Sequence, residues 1–364
     1  MEQWQRRMEA VAVNTFWTGR KVLLTGHTGF KGGWLALWLR QLGAEVHGFA
    51  LPATTTPALW QVAGLDAVIA GDLADVRDGQ AVARTCQAFA PEIVLHLAAQ
   101  PLVRESYRAP AETYATNVMG TVNVLEAVRQ TPSVRAVVVV TTDKCYENRE
   151  WLWPYREQDT LGGFDPYSNS KACVELLCGA YRNSFMQAGG VALATARAGN
   201  VVGGGDWSAD RLLPDIFRAW QQDEEVILRY PQATRPWQHA LEPLMGYLLL
   251  AQALLEQGER YAGPWNFGPE SDNVATVERL VRTLADMWPR PVRWAVDGNP
   301  QPHEAGLLAL DSSKARQQLG WAPRWSFEQT LARTLAWHLA WQQGRDMHTF
   351  TCAQIAAYQS DIHE

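Results

Sequence analysis

Strand-length apolar runs alternate with helix-length amphipathic stretches over the first 200 residues of this chain. The apolar runs lie at 21–25, 45–51, 92–97, 136–142 and 191–196. The stretches with helical spacing lie at 32–42, 111–129 and 168–187. Because parallel neighbours in a sheet need a crossover connection, strands that alternate with helices predict a doubly wound parallel sheet of the α/β class.

Beyond residue 200 the alternation weakens, and the pattern predicts a second, mixed unit. Its predicted elements are helices at 212–222 and 242–256, a strand at 225–228, an amphipathic segment at 274–288, and a segment at 265–267 that returns to the main sheet. We assign residues 17–200 to the main domain, with a return segment at about 236–270, and residues 1–16 to an N-terminal arm. Residues 201–235 and 271–345 are predicted to form a smaller mixed α/β lobe that binds substrate.

Composition excludes several classes of protein. Hydrophobic residues make up 47% of the 364 positions and charged residues 19%, which is enough apolar surface for a sizeable core. The net charge is −6, so the basic surface of a nucleic-acid binder is not expected. No apolar run suggests a membrane span, and the first 16 residues do not resemble a secretory signal. The five cysteines show neither metal-ligand nor disulfide spacing, which predicts a metal-free protein with reduced thiols in the cytoplasm.

A glycine-rich turn, TGHTGFKG at 25–32, follows the first predicted strand and precedes the first helix. Glycines let the backbone approach a pyrophosphate, and the helix start offers free N–H groups to the phosphates. The second strand ends at 48–51 without an acid or an arginine, so this position does not decide between NAD and NADP. The predicted dinucleotide contacts are Gly26, Thr28, Gly29, Phe30, Lys31 and Gly32, with Asp72 and Leu73 near the adenine.

Tyr167 and Lys171 form a Y-x-x-x-K pattern at the start of a predicted helix, where residues four apart share a face. A tyrosine with its ordinary pKa of about 10 is a poor base at neutral pH. An ammonium about 4 Å away contributes about 4 kcal/mol at an effective dielectric near 20, which lowers a pKa by about three units. The spacing therefore predicts a phenolate that takes a proton from a sugar hydroxyl while hydride leaves the same carbon.

Together with the segment LAAQ at 97–100 and Asn117, these features resemble the extended short-chain dehydrogenase/reductase superfamily, in its nucleotide-sugar branch, over about residues 17–330. The resemblance implies a Rossmann-like fold with NAD bound partly by Leu97, Ala98, Ala99 and Asn117. It also implies that Thr142 hydrogen-bonds the hydroxyl undergoing oxidation. Asn117 would support a relay to Lys171.

Five segments narrow the resemblance to the family of CDP-glucose 4,6-dehydratases. They lie at 25–34, 142–151, 165–175, 197–207 and 235–244. The resemblance implies a lyase that oxidises C4 of CDP-glucose, eliminates water across C5 and C6, and returns hydride to C6, without net use of NAD. A nucleotide-sugar 4-epimerase, a dehydratase for another nucleotide hexose and an inactive NAD-binding regulator are the alternatives. The resemblance further implies a homo-oligomer, a dimer or tetramer, built through the helices at 111–129 and 168–187, and a role in deoxysugar synthesis for lipopolysaccharide O-antigen.

Elimination needs an acid for the C6 hydroxyl and a base at C5. Asp143 is predicted to be the acid, which requires a raised pKa. Related dehydratases for dTDP-glucose and GDP-mannose have glutamate where Lys144 stands here. Lys144 is then either a base with a depressed pKa or a stabiliser of enolate charge, and both readings stay open.

The substrate's pyrophosphate carries two negative charges, which arginine forks suit. Arg235 is the first candidate for this contact and Arg211 the second. The remaining predicted substrate contacts are Asn200 at the phosphate or sugar, Gln100 and Arg104 at the hexose, and His303 at the nucleotide.

Overall fold

The computed structural model describes residues 15–270, 273–297 and 307–361. Most of the predicted N-terminal arm and the candidate His303 lie outside the described residues. A single 3₁₀ turn at Thr15–Trp17 precedes the first strand.

Twelve strands are present among the described residues. They are β1 (Lys21–Thr25), β2 (Glu45–Ala50), β3 (Ala70–Leu73), β4 (Ile93–His96), β5 (Ala136–Val140), β6 (Ala192–Ala198), β7 (Asn200–Val202), β8 (Val226–Leu228), β9 (Thr234–His239), β10 (Gly263–Phe267), β11 (Val274–Thr276) and β12 (Trp294–Val296).

The described helices alternate with the strands through the first half of the chain. They are α1 (Phe30–Gln41), α2 (Leu59–Val62), α3 (Gly79–Phe89), α4 (Val103–Arg108), α5 (Pro110–Tyr114), α6 (Gly120–Arg129), α7 (Pro166–Tyr181), α8 (Leu212–Gln221), α9 (Leu241–Gln257), α10 (Val277–Met287), α11 (Phe327–Gln342) and α12 (Met347–Ser360). None of them is long and apolar enough to cross a membrane, within the residues described.

Seven strands form the main sheet in the order β3-β2-β1-β4-β5-β6-β10, and every neighbouring pair is parallel. The order reverses direction at β1 and β4, which is the doubly wound pattern predicted from the sequence. The segment predicted to return to the main sheet does so as β10, which pairs with β6. The prediction of a Rossmann-like α/β fold is therefore confirmed.

Both faces of the main sheet are covered, so its strands are apolar on both sides. Alternate residues of β5 show the arrangement: Val138 packs into a core with Trp34 of α1 and Leu244 of α9. Val137 and Val139 point into the opposite core, against α3, α6 and α7. Continuous burial of this kind is why the five residues of β5 read as an uninterrupted apolar run.

The smaller lobe is mixed, as predicted. It contains a three-stranded sheet, β11-β9-β7, and a parallel pair of β8 with β12. Helices α8, α10 and α11 pack on these strands around their own core, which includes Trp220, Leu280 and Leu331. The sequence-based domain boundaries themselves stay a prediction.

Two histidines in this fold should make the protein sensitive to acid. His96 is 2% exposed and His239 is 0% exposed, and burial lowers the pKa of each to about 3. Below pH 6.5 the unfolded chain binds protons that the folded chain does not, so stability falls as the pH drops from about 6.5 toward 3. Each histidine contributes up to about 1.4 kcal/mol per pH unit over that window.

We expect the urea midpoint of unfolding to be lower at pH 5 than at pH 7. His96→Gln should reduce the slope of this pH dependence, because one of the buried neutral imidazoles is then gone. A midpoint that rises on acidification would contradict the assignment of these side chains as buried and neutral.

Candidate active site

The carboxyl ends of three neighbouring strands form the mouth of the main sheet. The glycine turn follows β1, the segment 97–100 follows β4, and Thr142 follows shortly after β5. In open α/β sheets ligands bind in the crevice at this edge, where the strand order reverses. The sequence-predicted cofactor and catalytic residues therefore meet in one place.

The glycine turn has the shape that a dinucleotide phosphate requires. Gly26 has φ +77°, and a Cβ there would lie 2.8 Å from the backbone nitrogen of Ala98. A Cβ at Gly32 would lie 2.0 Å from the Gly26 oxygen, so the start of α1 can pack on the turn only with glycine there. Gly29, in contrast, has a single neighbour within 4 Å of its ideal Cβ, at 3.4 Å. That open side, facing the free N–H groups of α1, fits a pyrophosphate.

Other predicted cofactor residues have partners of their own. The Thr28 hydroxyl donates to the Leu51 carbonyl at 2.8 Å and ties the turn to β2. Asp72 lies on β3, and its carboxylate accepts from the Thr85 hydroxyl of α3 at 2.5 Å. This hydrogen bond is the main reason that the pKa of Asp72 is lowered. Leu73 beside it is 61% exposed. Both are placed at the strand edge where an adenine would lie.

Lys31 points toward the catalytic cluster. Its Nζ donates to the Tyr247 hydroxyl at 3.4 Å. Burial, reinforced by the positive charges of Arg211 and Lys171, lowers the pKa of Lys31 to about 7. The sequence could not show this orientation, because Lys31 lies in the first turn of α1 and only the fold places Tyr247 of α9 beside it.

Tyr167 and Lys171 lie on the first turns of α7, which begins at the capping residue Asp165. The Asp165 carboxylate accepts from the backbone nitrogen of Ser168 at 2.9 Å. Tyr167 is 9% exposed and Lys171 is 6% exposed. The lysine Nζ donates to the Val140 carbonyl at 3.1 Å, at the end of β5. The pair is thus fixed at the mouth of the sheet.

The pKa values of this pair differ from the sequence-based expectation. Burial raises the pKa of Tyr167 to about 12, and the contact with Thr142 offsets this only in part. Burial lowers the pKa of Lys171 to about 8. The expected lowering of the tyrosine pKa by the lysine is not seen here, because burial dominates the phenol and Lys171, whose amine is bonded to Val140, is not among the groups that lower the pKa.

Asp143 has the environment of a buried acid. It begins a 3₁₀ turn after β5 and is 2% exposed. Its Oδ1 accepts from the Thr142 hydroxyl at 3.0 Å, whereas its Oδ2 has no hydrogen-bond partner among the described residues. Burial raises the pKa of Asp143, opposed mainly by the charge of Lys144 and then by Thr142 and Arg235. This is the direction that the predicted acid requires.

The Oδ2 atom of Asp143 lies against a close-packed wall of the lobe. A Cβ added at Gly199 would lie 3.2 Å from it and 2.9 Å from Pro236 Cγ of β9. Lys144 follows in the same 3₁₀ turn, with its backbone nitrogen 3.4 Å from the Thr142 hydroxyl. The acid and its neighbouring lysine therefore occupy the junction of β5 with the substrate lobe.

Asn117 and Gln100 are hydrogen-bonded to each other. The backbone nitrogen of Gln100 donates to Asn117 Oδ1 at 2.8 Å, and Asn117 Nδ2 donates to the Ser170 hydroxyl at 2.9 Å. The Gln100 side chain is itself bonded to Leu102 and to the Thr113 hydroxyl. In this state Gln100 therefore organises the segment 97–100 rather than facing the cleft with a free amide.

Four substrate candidates remain: Arg104, Asn200, Arg211 and Arg235. Arg104 of α4 donates to Asp210 at 2.7 Å, which joins the main domain to the lobe. Arg211 donates to Asp206 at 3.3 Å. Arg235 is buried, donates to the Thr234 carbonyl at 3.0 Å, and lies near enough to Asp143 to lower its pKa. Asn200 begins β7 and pairs with Trp237.

Sequence reasoning missed a buried ion pair behind the catalytic helix. Glu175 and Arg197 join at 2.8 Å, with side chains 3% and 2% exposed. Glu175 also accepts from the hydroxyls of Thr141 at 2.5 Å and Thr195 at 2.6 Å. An arginine within the otherwise apolar strand β6 was the available signal, since a buried charge needs a partner.

Among the described residues, no three His, Cys, Asp or Glu side chains come together as a metal site. The side chains at the mouth of the sheet are instead proton donors and acceptors. Together with the glycine turn, they suit the oxidation of an alcohol beside a bound dinucleotide.

Known proteins resemble the chain over most of its length. The family model for GDP-mannose 4,6 dehydratase matches residues 23–334. A CDP-glucose 4,6-dehydratase of Salmonella typhimurium is 51% identical over 350 residues, which cover 95% of this chain and 98% of that protein. A dTDP-glucose 4,6-dehydratase of Xanthomonas campestris is 27% identical, covering 88% of this chain and 95% of that protein.

Solved structures share the fold at lower sequence identity. A UDP-glucose 4-epimerase of Thermotoga maritima with UDP-glucose superposes with a TM-score of 0.75 at 23% identity, covering 88% of this chain and 99% of that one. A dTDP-glucose 4,6-dehydratase of Bacillus anthracis in complex with NAD gives 0.73 at 20% identity, covering 90% and 99%. The chain therefore belongs to the GDP-mannose 4,6-dehydratase family, on the branch of the CDP-glucose 4,6-dehydratases.

Proposed function

We propose that this chain converts CDP-D-glucose to CDP-4-dehydro-6-deoxy-D-glucose and water, with NAD as its bound cofactor. The near full-length identity to a CDP-glucose 4,6-dehydratase supports both the substrate and the reaction. The observation that carries the proposal is the buried Asp143 carboxyl, with an unbonded oxygen among the described residues, beside Tyr167 and Lys171. A 4-epimerase has no need of an acid for the C6 hydroxyl, so this group favours the dehydratase.

The glycine turn and the N-terminus of α1 would hold the NAD pyrophosphate, with Gly26 and Gly29 allowing the close approach. NAD, when bound, supplies an acceptor for the C4 hydride and the donor that returns it to C6. The chain's own residues must then move protons at three positions: from the C4 hydroxyl, to the departing C6 hydroxyl, and away from and later back to C5.

Tyr167 takes the C4 hydroxyl proton, and the Thr142 hydroxyl positions that group. With a pKa of about 12 the phenol stays protonated at neutral pH and cannot accept a proton, so its pKa must fall when substrate binds. Lys171 can lower the pKa of the phenol by moving its ammonium from the Val140 carbonyl toward the phenol oxygen. A positive charge about 4 Å away lowers such a pKa by about three units. A lysine pKa of about 8 keeps that amine mostly protonated at neutral pH.

Asp143 protonates the departing C6 hydroxyl. Once C4 is a ketone, the C5 proton is acidic because its carbanion is an enolate, and loss of water follows. The Asp143 carboxylate that remains lies near the positive charges of Lys144 and Arg235, which stabilise it. Lys144 acts either as the C5 base or as a stabiliser of the enolate.

Asp143→Asn should permit C4 oxidation but slow loss of water by about 10²–10⁴-fold, because the amide keeps the shape and cannot donate an acidic proton. After a single turnover quenched with borodeuteride, mass spectrometry should find hexose that retains its C6 hydroxyl and carries deuterium at C4. If this variant eliminates water at the wild-type rate, the acid for the C6 hydroxyl is a residue other than Asp143.

The substrate's pyrophosphate is bound by Arg235 and Arg211, with Asn200 at its sugar side. Arg211 and Arg104 are paired with Asp206 and Asp210 in this structure. These carboxylates are already paired with the guanidinium groups that an incoming anion would bind. Substrate must therefore exchange with them, at a cost of about 1 kcal/mol or less for the more exposed Arg104–Asp210 pair.

A homo-oligomer is supported by exposed apolar side chains on the helices named for this role. Leu176 of α7 is 64% exposed and Met119, just before α6, is 53% exposed. Leu176→Glu should shift the mass measured by light scattering toward the monomer, because a charge would be buried in the interface. A monomeric wild type, or an unchanged oligomer in the variant, would contradict this interface.

The enzyme is placed in the cytoplasm, where its five thiols stay reduced. Its product would feed deoxysugar synthesis for the lipopolysaccharide O-antigen. Loss of the gene should then remove a deoxyhexose from the surface polysaccharide, and an unchanged polysaccharide would refute this role.

A further inference from the structure

A buried chain of hydrogen bonds runs from the end of β1 to the start of α6 through His96. The Thr25 hydroxyl lies 2.7 Å from His96 Nδ1, and His96 Nε2 lies 3.1 Å from the Thr121 hydroxyl. Thr121 in turn donates to the Asn117 carbonyl at 2.6 Å. All four residues are at most 2% exposed, so water cannot substitute for a missing partner.

The hydrogen-bond partners of Thr25 and Thr121 determine where each proton of this series lies. Thr121 has one hydroxyl proton, which goes to the Asn117 carbonyl, so its oxygen accepts from His96 Nε2. The Thr25 hydroxyl oxygen accepts from the backbone nitrogens of Leu97 and Ala98, each at 3.1 Å, and the Leu97 N–H is shared with the Thr25 carbonyl at 3.2 Å. Both lone pairs of the hydroxyl oxygen are used, so its proton points at His96 Nδ1, which must carry none.

The cationic form of His96 has no place in this arrangement. A proton on Nδ1 would face the hydroxyl proton of Thr25, whose oxygen has no lone pair left to accept it. Burial and the nearby charge of Lys171 on α7 lower the pKa of His96 to about 3. The ring is therefore neutral over the whole range in which the enzyme would work.

The two ends of this series of hydrogen bonds lie in the two halves of the active site. At one end, Thr25 holds the nitrogens of Leu97 and Ala98, against which Gly26 of the dinucleotide turn packs. At the other end, the Asn117 side chain bonds the Ser170 hydroxyl. Ser170 then donates to the Tyr167 carbonyl at 2.7 Å.

We propose that His96 is a positioning residue, held as the neutral Nε2–H tautomer, which locks the dinucleotide turn to the catalytic helix through Thr25 and Thr121. The proposal rests on the proposed function for its catalytic consequence. The tautomer itself does not depend on which sugar is turned over.

The first test is spectroscopic and uses the full chain labelled with ¹⁵N at histidine. The His96 ring nitrogens are assigned as the signals missing from His96→Gln. We expect Nε2 to be protonated and Nδ1 bare, with no change between pH 5.5 and 8.5 on the scale of the ordinary titration near 6.5. Titration in that range, or the Nδ1–H tautomer, would overturn the proposal.

The second test separates positioning from packing. Thr121→Val removes the acceptor of His96 Nε2 at constant shape, and it should weaken NAD binding by calorimetry and lower kcat, each by about tenfold. Thr121→Ser restores the hydroxyl and should restore both values. The matched control is Thr131→Val, which removes a hydroxyl bonded in the same i−4 manner to the Ala127 carbonyl, outside the chain of bonds.

An unchanged NAD affinity and kcat in Thr121→Val would overturn the proposal, and so would an equal loss in Thr131→Val. If Thr121→Val does not fold, failure of Thr121→Ser to match wild type would overturn it as well. Wild type that binds NAD but leaves CDP-glucose unchanged would instead defeat the proposed function, with the histidine signals still deciding the tautomer.

Discussion

Tyr167→Phe is expected to lower kcat by about 10²–10⁴-fold while NAD affinity stays within about twofold. The variant loses only the phenolic oxygen, and the ring continues to fill its buried place on α7. The glycine turn after β1, where we propose that the dinucleotide phosphates bind, is not touched by this substitution. The measurement is initial-rate kinetics with CDP-glucose, together with calorimetric titration of NAD.

Tyr181→Phe is the matched control for this variant. Tyr181 ends the same helix, and its hydroxyl donates to Glu126 at 2.8 Å, away from the mouth of the sheet. Its kcat should equal that of wild type. Turnover by Tyr167→Phe at the wild-type rate would exclude the tyrosine as the proton acceptor.

Arg197→Met is expected to destabilise the protein by about 3–5 kcal/mol, because it leaves the Glu175 charge buried without its partner. The arginine also donates to the Tyr146 hydroxyl at 2.7 Å and to the Glu157 carbonyl at 3.1 Å, and these acceptors would lose a donor. Urea unfolding followed by circular dichroism measures the change. Glu175→Met added to Arg197→Met should recover part of the lost stability, since neither charge of the pair is then left buried.

Arg129→Met gives the surface comparison. Arg129 pairs with Glu126 at 2.8 Å, but the two side chains are 38% and 36% exposed. Its removal should cost no more than about 1 kcal/mol. Equal effects at Arg197 and Arg129 would show that the buried pair is not a fixed element of the active-site support.

The sequence predicted the strands that read as apolar runs and missed those whose residues carry no such pattern. β5 is an unbroken apolar run because both sheet faces are covered, and it was predicted. β3 is an exposed edge strand of sequence AGDL, with no periodicity to detect. β9 reads TRPWQH, and its six positions are hardly exposed because the lobe closes over them, a tertiary effect that local pattern cannot reveal.

The predicted helix at 111–129 shows a further limit of local pattern. It is observed as α5, a π-helical turn at Ala115–Met119 and α6. The extra residue of the π turn falls around Asn117, whose side chain and carbonyl bond different neighbours. Hydrophobic spacing cannot report such a turn, which depends on partners distant in sequence.

Within the active site, spacing predicted which residues meet but not their charge states. The Y-x-x-x-K pattern placed Tyr167 and Lys171 correctly on one helix at the mouth of the sheet. The direction of the tyrosine pKa depends on burial and on the bond of Lys171 to Val140, which only the folded chain provides. The histidine between the cofactor turn and the catalytic helix was missed because its two hydrogen-bond partners lie on separate elements, β1 and α6.

The most direct test of the account is turnover of CDP-glucose labelled with deuterium at C4, in a parallel set with dTDP-, UDP- and GDP-glucose. The purified chain with NAD should convert the CDP sugar to a product lighter by one water, with the C4 label found at C6. The same reaction of unlabelled CDP-glucose in D₂O should place one solvent deuterium at C5. Recovery of unchanged CDP-glucose, or of its C4 epimer, would contradict the account.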